Sequence, residues 1–281
     1  GSFVVKSRLF CSEAPDFLCI IVFMKPNMQS NIKKYLAQLE EEKGIQILLA
    51  CETGSRAWGF PSPDSDYDVR IIYKHPKDWY LGLSEPKDTI ELMLDNNEVD
   101  ISGWDLRKSL RLLQKSNAPL LERIQSPIIY QADSVFLEGI NELAPSCYSR
   151  IATIHHYLGM GKKAFDEVAS HTEYKLKRLF YALRATMACL WILEREEIPP
   201  IEFGKMLETL HMPPGCRERV KELIAIKATV GEGYLHHGEK DLTAFMAESL
   251  ARAERDGKVL PGASGSMDAL NAFFLRTLNQ P

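Results

Sequence analysis

GSRAWGFPSPDSDYD, residues 54–68, combines a small-residue turn, a segment of helix length and an Asp-x-Asp pair. Each part has its own physical use. Gly54 lets the backbone approach a ligand closely, and Ser55 offers a hydroxyl and an N–H at a helix start, where phosphate is favoured. Asp66 and Asp68 stand two apart, so on an extended strand both side chains leave one face while Tyr67 leaves the other. Two carboxylates then converge beside a phosphate cradle.

The flanking sequence sets this stretch between strands. Ile45 to Cys51 (IQILLAC) is a near-continuous apolar run that reads as a strand buried on both faces. Tyr67 to Tyr73 (YDVRIIY) reads as a second, and Thr89 to Leu94 (TIELML) and Glu98 to Gly103 (EVDISG) as a third and fourth, hinged at Asp95-Asn96-Asn97. Upstream, Asn31 to Glu42 spaces Ile32, Tyr35, Leu36 and Leu39 as a helix, between Ser30 as N-cap and Gly44 as stop. From Asp105 onward, apart from Ile128 to Gln131, the pattern is helical, punctuated by Pro119, Pro127, Pro145, Pro199-Pro200 and Pro213-Pro214-Gly215. The predicted fold class is α+β: a small mixed β-sheet domain over residues 28–145, then a helical-bundle domain over 146–281. Residues 1–27 read as an N-terminal extension or tag.

Converging carboxylates repel unless a proton or a cation intervenes. Hard oxygen ligands beside a phosphate cradle suit Mg²⁺, with Mn²⁺ as the alternative ion. Asp100 is the candidate third acid, because a carboxylate between Val99 and Ile101 in an apolar frame is costly without a partner. Asp95, Glu98 and Asp105 compete for that role, and alternation places Glu98 and Asp100 on one face. Two ions about 3.5–4 Å apart activate an attacking hydroxyl and stabilise a leaving pyrophosphate. These residue types in this order point to nucleotidyl transfer from an NTP, with Asp66, Asp68 and Asp100 as metal ligands and catalytic acids.

A G-S turn, about ten residues, an Asp-x-Asp pair and a later strand carboxylate form the pattern of the DNA polymerase beta superfamily of nucleotidyltransferases, which this sequence resembles. More closely, GSRAWGFPSPDSDYDVR looks like the bacterial family of predicted nucleotidyltransferases sometimes called RNA-ligase-associated polymerase-beta-like proteins. HHYLGMGKKAF at 155–165, and KLKRLFYALRATMACLWI at 175–192 with Pro199-Pro200, are similar to that family's helical segments. The likeness covers the chain from about residue 45 to 250. It implies a metal-dependent enzyme with an RNA end as acceptor. A protein or small-molecule hydroxyl, or a non-catalytic nucleotide-binding module, stays open beside that reading.

Further candidates surround this core. On the helix from about Glu173 to Glu194, Lys177, Tyr181 and Arg184 recur at i, i+4, i+7 along the edge of an apolar face and read as nucleotide contacts. Arg56 is placed to touch a phosphate or to pair with Asp66 or Asp68. Lys162 and Lys163 either reach phosphates or form a solvated face. Trp58, Tyr67 and Trp79 read as packing residues.

Composition bounds the rest. With 45% apolar residues the chain of 281 can bury a sizeable core, and a net charge of -4 offers no general attraction to nucleic acid. The longest apolar run, Phe17 to Met24, falls short of the roughly 20 residues that span a bilayer, so no membrane partner is expected. Six cysteines, at 11, 19, 51, 147, 189 and 216, lack CxxC spacing and read as buried, reduced thiols of a cytoplasmic protein.

Overall fold

Asn27, at φ 74°, turns the chain into α1 (Met28–Lys43), ahead of the Ser30 cap that the sequence suggests. Met28 is itself buried with Ile32, Leu36 and Leu39, so the apolar face begins a turn early. Gly44, at φ 59°, stops the helix as expected and donates its N–H to the Glu40 carbonyl. The computed structural model describes residues 25, 27–84, 86–263 and 265–280. The expected extension over residues 1–27, with Cys11 and Cys19, lies outside them apart from Lys25 and Asn27.

The elements that follow are β1 (Gln46–Glu52), α2 (Gly54–Trp58), β2 (Tyr67–Lys74), α3 (Lys77–Leu81), β3 (Thr89–Leu94) and β4 (Val99–Asp105). Then come α4 (Leu106–Gln114), α5 (Ala118–Ile124), β5 (Ile129–Ala132) and α6 (Ser134–Cys147). The strands make one mixed sheet in the order β3-β4-β2-β1-β5, in which β2 and β4 run parallel and the other neighbours antiparallel. A parallel pair needs a crossover, which α3 and β3 supply. The β3–β4 hinge falls where expected. Asp95, Asn96 and Asn97 take φ of 51°, 54° and 70°, a left-handed run that short polar side chains tolerate.

Burial divides along the pleat. Ile47, Ala50, Tyr67, Val69, Ile71, Val99 and Ile101 pack with α1 on one face of the sheet. On the other face Leu49, Cys51 and Ile72 pack with Leu106, Leu110, Leu121, Phe136 and Ile140 of α4, α5 and α6.

The helical part comprises α7 (Arg150–Ala169), β6 (Glu173–Lys175), α8 (Leu176–Glu194), α9 (Phe203–Thr209), α10 (Cys216–Lys227), β7 (Leu235–His237), α11 (Lys240–Asp256) and α12 (Met267–Asn279). β6 and β7 pair antiparallel. This ribbon replaces the helix expected from Glu173, because strands of three residues carry no readable period. Residue 145 lies within α6, and α12 returns to the sheet, setting Leu270 and Phe273 beside Phe136 and Ile140. Cys51, Cys147, Cys189 and Cys216 are buried thiols, and no helix among the described residues is long and apolar enough to cross a membrane.

α8 corrects a larger expectation. It is the axis of the helical core, packed by α7, α9 and α11, and every residue from Ala182 to Ile192 is buried. A helix enclosed on all sides has no solvated edge. Arg184 therefore does not continue a stripe with Lys177 and Tyr181. It is 2% exposed, its Nη2 lies 2.7 Å from Glu122 Oε1, and its guanidinium sits 4.3 Å from the centre of the Trp58 ring. Removing one partner of a buried pair leaves the other charge without compensation, at a cost of about 3–5 kcal/mol. Arg184→Met should lose stability on that scale in urea unfolding. Lys162→Ala, at the surface pair with Glu254, should change it by less than about 1 kcal/mol.

Candidate active site

The site begins where β1 hands the chain to α2. Glu52, the last residue of β1, is fully buried; its Oε1 accepts the Asp68 N–H at 2.7 Å and its Oε2 accepts the Tyr130 hydroxyl. Thr53 donates its N–H to the Asp68 carbonyl at 2.9 Å and its hydroxyl to the same atom at 3.2 Å. Asp68 is thus held from two sides. Gly54 follows at φ 62°, and a Cβ there would stand 2.0 Å from Asp68 Oδ2. Only glycine satisfies both the backbone angle and the packing. Ser55 is half-buried, and its hydroxyl makes no hydrogen bond among the described residues.

Arg56 departs from its expected role. It is 3% exposed, donates Nε to the Asp66 carbonyl at 3.1 Å and Nη2 to the Ser65 carbonyl at 2.6 Å, and lies 3.9 Å from the Tyr67 ring centre. A guanidinium so enclosed braces the loop backbone from beneath. Tyr67 and Trp58 serve as packing residues, Tyr67 fully buried and Trp58 edge-on to Tyr181 at 5.5 Å. Trp79 stacks on His75 at 4.0 Å.

The acids meet through strand register. Asp68 on β2 is the register partner of Asp100 on the parallel β4, so the two carboxylates leave neighbouring strands on one face. Asp66 stands one residue before β2 and is exposed. Burial raises the Asp68 carboxyl; Arg70 opposes the rise, while Asp100, Asp66 and Glu232 add to it. Burial also raises Asp66, with Glu232, Asp100 and Asp64 adding and Lys177 opposing. Three acids share one electrostatic neighbourhood. Their competitors are engaged elsewhere: Asp105 caps α4 and accepts the Tyr80 hydroxyl at 2.5 Å, Asp95 accepts the Tyr35 hydroxyl at 2.8 Å, and Glu98 pairs with Lys25.

Two charged residues complete the site without a counterpart in the sequence reading. Arg70 donates Nη2 to both Asp68 Oδ1 and Asp100 Oδ2 at 2.8 Å. Its signal was present, since a residue two after Asp68 emerges on the same face. Glu232 had none. It accepts from Lys177 at 2.8 Å and from the Ser65 hydroxyl at 2.7 Å, and its N–H donates to Asp64 at 2.8 Å. Burial alone would raise Glu232, but Lys177, Ser65 and Lys227 hold its carboxyl below the usual range. Lys227, in turn, donates to the Ser62 hydroxyl at 2.8 Å. The loop before Asp66 is thereby strapped to the helical part, and charge couples that part to the acids: Lys177 opposes the rise of Asp66, and Asp68 adds to the rise of the Tyr181 hydroxyl. Lys162 pairs with Glu254 on α11, and Lys163 is exposed. Among the described residues no group of three or more His, Cys, Asp and Glu side chains is already arranged around an ion position.

The chain that carries these residues matches known sequences. Residues 28–276 match the RNA repair pathway DNA polymerase beta family. The chain belongs to that family. It is therefore a polymerase-beta-type nucleotidyltransferase, and the family match takes in α1 and most of α12, beyond the limits that the motifs alone suggested. The chain is similar to the uncharacterized protein YcgL of Bacillus subtilis (strain 168), 35% identical over 254 residues, which is 90% of this chain and 97% of that one. A nucleotidyltransferase-like protein from Exiguobacterium sibiricum 255-15 aligns over 88% of this chain and 79% of its own, at 11% identity and a TM-score of 0.26.

Burial pushes the Glu52 carboxyl up to about 7, against the opposing Tyr130 hydroxyl and Asp68 N–H. The unfolded chain releases this proton from about pH 4.5, whereas the folded chain keeps it to about pH 7, so stability falls as pH rises through that window and levels above it. The isosteric Glu52→Gln variant should lack this component. Urea unfolding should show the native protein losing about 3 kcal/mol relative to the variant between pH 4.5 and 7.5.

Proposed function

We propose that this nucleotidyltransferase binds an NTP with Mg²⁺, or with Mn²⁺ in its place, and transfers the NMP to the hydroxyl of an RNA end, releasing pyrophosphate. The observation that carries the reading is the register of Asp68 with Asp100, with Asp66 just before them and Gly54 packed against Asp68 Oδ2. A set of mutually repelling carboxylates, hard oxygen donors beside a close-approach glycine, fits a divalent ion. Asp66, Asp68 and Asp100 would hold it. When bound, the ion lowers the cost of ionising the acceptor hydroxyl and shields the phosphates.

The chain's own residues do the rest. Ser55, with its hydroxyl unengaged among the described residues, faces a phosphate at the start of α2. Lys177, with a side chain 28% exposed, neutralises triphosphate charge while Glu232 aims it. Tyr181, held edge-on by Trp58, offers a face for the base or ribose. The acceptor hydroxyl gives its proton to water as its oxygen bonds to the α-phosphorus, the bond to the bridging oxygen breaks, and pyrophosphate departs with that electron pair. Membership of a family of the RNA repair pathway supports an RNA acceptor over a protein or small molecule. With a net charge of -4, RNA must be met locally rather than by the whole surface.

Purified protein given labelled NTP, Mg²⁺ and RNA oligonucleotides should label the RNA, and EDTA should stop it. Asp66→Asn and Asp68→Asn should each lower the rate by several orders of magnitude while thermal melting shows a folded chain. Labelling of protein or small-molecule hydroxyls instead would redirect the acceptor. Tight NTP binding without transfer to any acceptor, unaffected by Asp68→Asn, would make the chain a nucleotide-binding module.

A further inference from the structure

The protein keeps a cation of its own between the two registered acids. Arg70 leaves the same face of β2 as Asp68, and its register partner on β4 is Ser102, one pleat beyond Asp100. A single nitrogen, Nη2, bridges Asp68 Oδ1 and Asp100 Oδ2 at 2.8 Å each. The other, Nη1, donates to the backbone carbonyls of Asp100 at 3.0 Å and Val69 at 3.2 Å. Its side chain is 18% exposed and the two carboxylates 32% each, so the bridge is partly screened from water. Nothing in the transfer reading requires an arginine here.

A guanidinium and a divalent ion make incompatible demands on these oxygens. Both need the lone pairs that the two carboxylates direct at one another, and a planar fork tied to two backbone carbonyls cannot turn Nη2 aside while keeping its Nη1 bonds. A +2 ion so close to a guanidinium is also repelled by it. We propose that Arg70 is a resident counter-ion that a divalent metal must displace from the Asp68–Asp100 pair, so that bare metal binds weakly and the metal enters together with an NTP. The polyphosphate is what makes displacement favourable, since its oxygens give the released guanidinium new acceptors of matching geometry. The site thus stays charge-compensated when no nucleotide is present and exposes its acids only to a metal–nucleotide pair. This inference rests on the reading of Asp66, Asp68 and Asp100 as metal ligands.

The test is a calorimetric titration of Mn²⁺ into the full chain without nucleotide, comparing the native protein with Arg70→Gln. Displacement predicts that Arg70→Gln binds Mn²⁺ about tenfold more tightly, the equivalent of about 1.4 kcal/mol, and that Asp68→Asn removes the binding. With a non-hydrolysable NTP analogue present, the native protein should regain most of that difference. Should Arg70→Gln not fold, Arg70→Lys carries the same test, because a point charge without the fork loses the double bridge and should shift the affinity in the same direction. Affinity equal to or weaker than native would make Arg70 a positioning brace for the carboxylates and overturn the proposal while leaving the metal reading intact. Absence of Mn²⁺ binding in every variant, with and without the analogue, would overturn both.

Discussion

Asp68 and Asp100 stand opposite each other on two parallel strands, and a pair of like charges in register is a standing strain on the sheet that carries it. Much of the surrounding architecture answers that strain. Glu52 holds the Asp68 N–H from beneath, Thr53 holds its carbonyl, and Gly54 leaves room for its carboxylate. Arg70 compensates the charge directly. None of these residues lowers the repulsion by separating the acids. They fix the acids in place and supply a cation, which is what a site that uses convergent carboxylates requires.

The second half of the molecule is joined to this point by charge as well as by apolar packing. Lys227 and Glu232 reach back to Ser62, Asp64 and Ser65, so the loop that presents Asp66 is held from outside the sheet domain. Behind it, Arg184 pairs with Glu122 and lies beneath Trp58, linking α8 to α5 and α2. Such pairs add little net stability over apolar contacts, but each is costly to half-break. The consequence is that Lys177 and Tyr181 of α8 stay within electrostatic reach of Asp66 and Asp68.

Much of the sheet was legible because local periods suffice for it. IQILLAC, YDVRIIY and TIELML became β1, β2 and β3 with ends moved by no more than a residue, and Asp95-Asn96-Asn97 turned where short polar side chains permit positive φ. In the sequence Asp100 is marked by its apolar frame and by an alternation that it shares with Glu98, and β4 places it beside Asp68. Proximity in sequence sets Arg56 beside a phosphate turn and Arg184 along an apolar stripe. Both are buried, Arg56 under the loop backbone and Arg184 in the helical core. Burial depends on what packs over a side chain, and neighbouring residues in the sequence do not report it.

The sequence by itself determined the chemistry's raw materials: a glycine-serine turn and acids two residues apart, in a chain that matches a polymerase-beta-type family. Spacing of two on a strand dictates a shared face, as it does for Asp68 and Arg70 on β2, whereas Asp66 stands just before that strand. Only the tertiary structure decided the electrostatics. It set Arg70 between the two acids, brought Glu232 and Lys177 to the loop from the helical half, and enclosed Arg184 with Glu122. Those contacts join residues up to 168 positions apart. Coulomb energy follows distance and burial in space, and neither is a function of position along the chain.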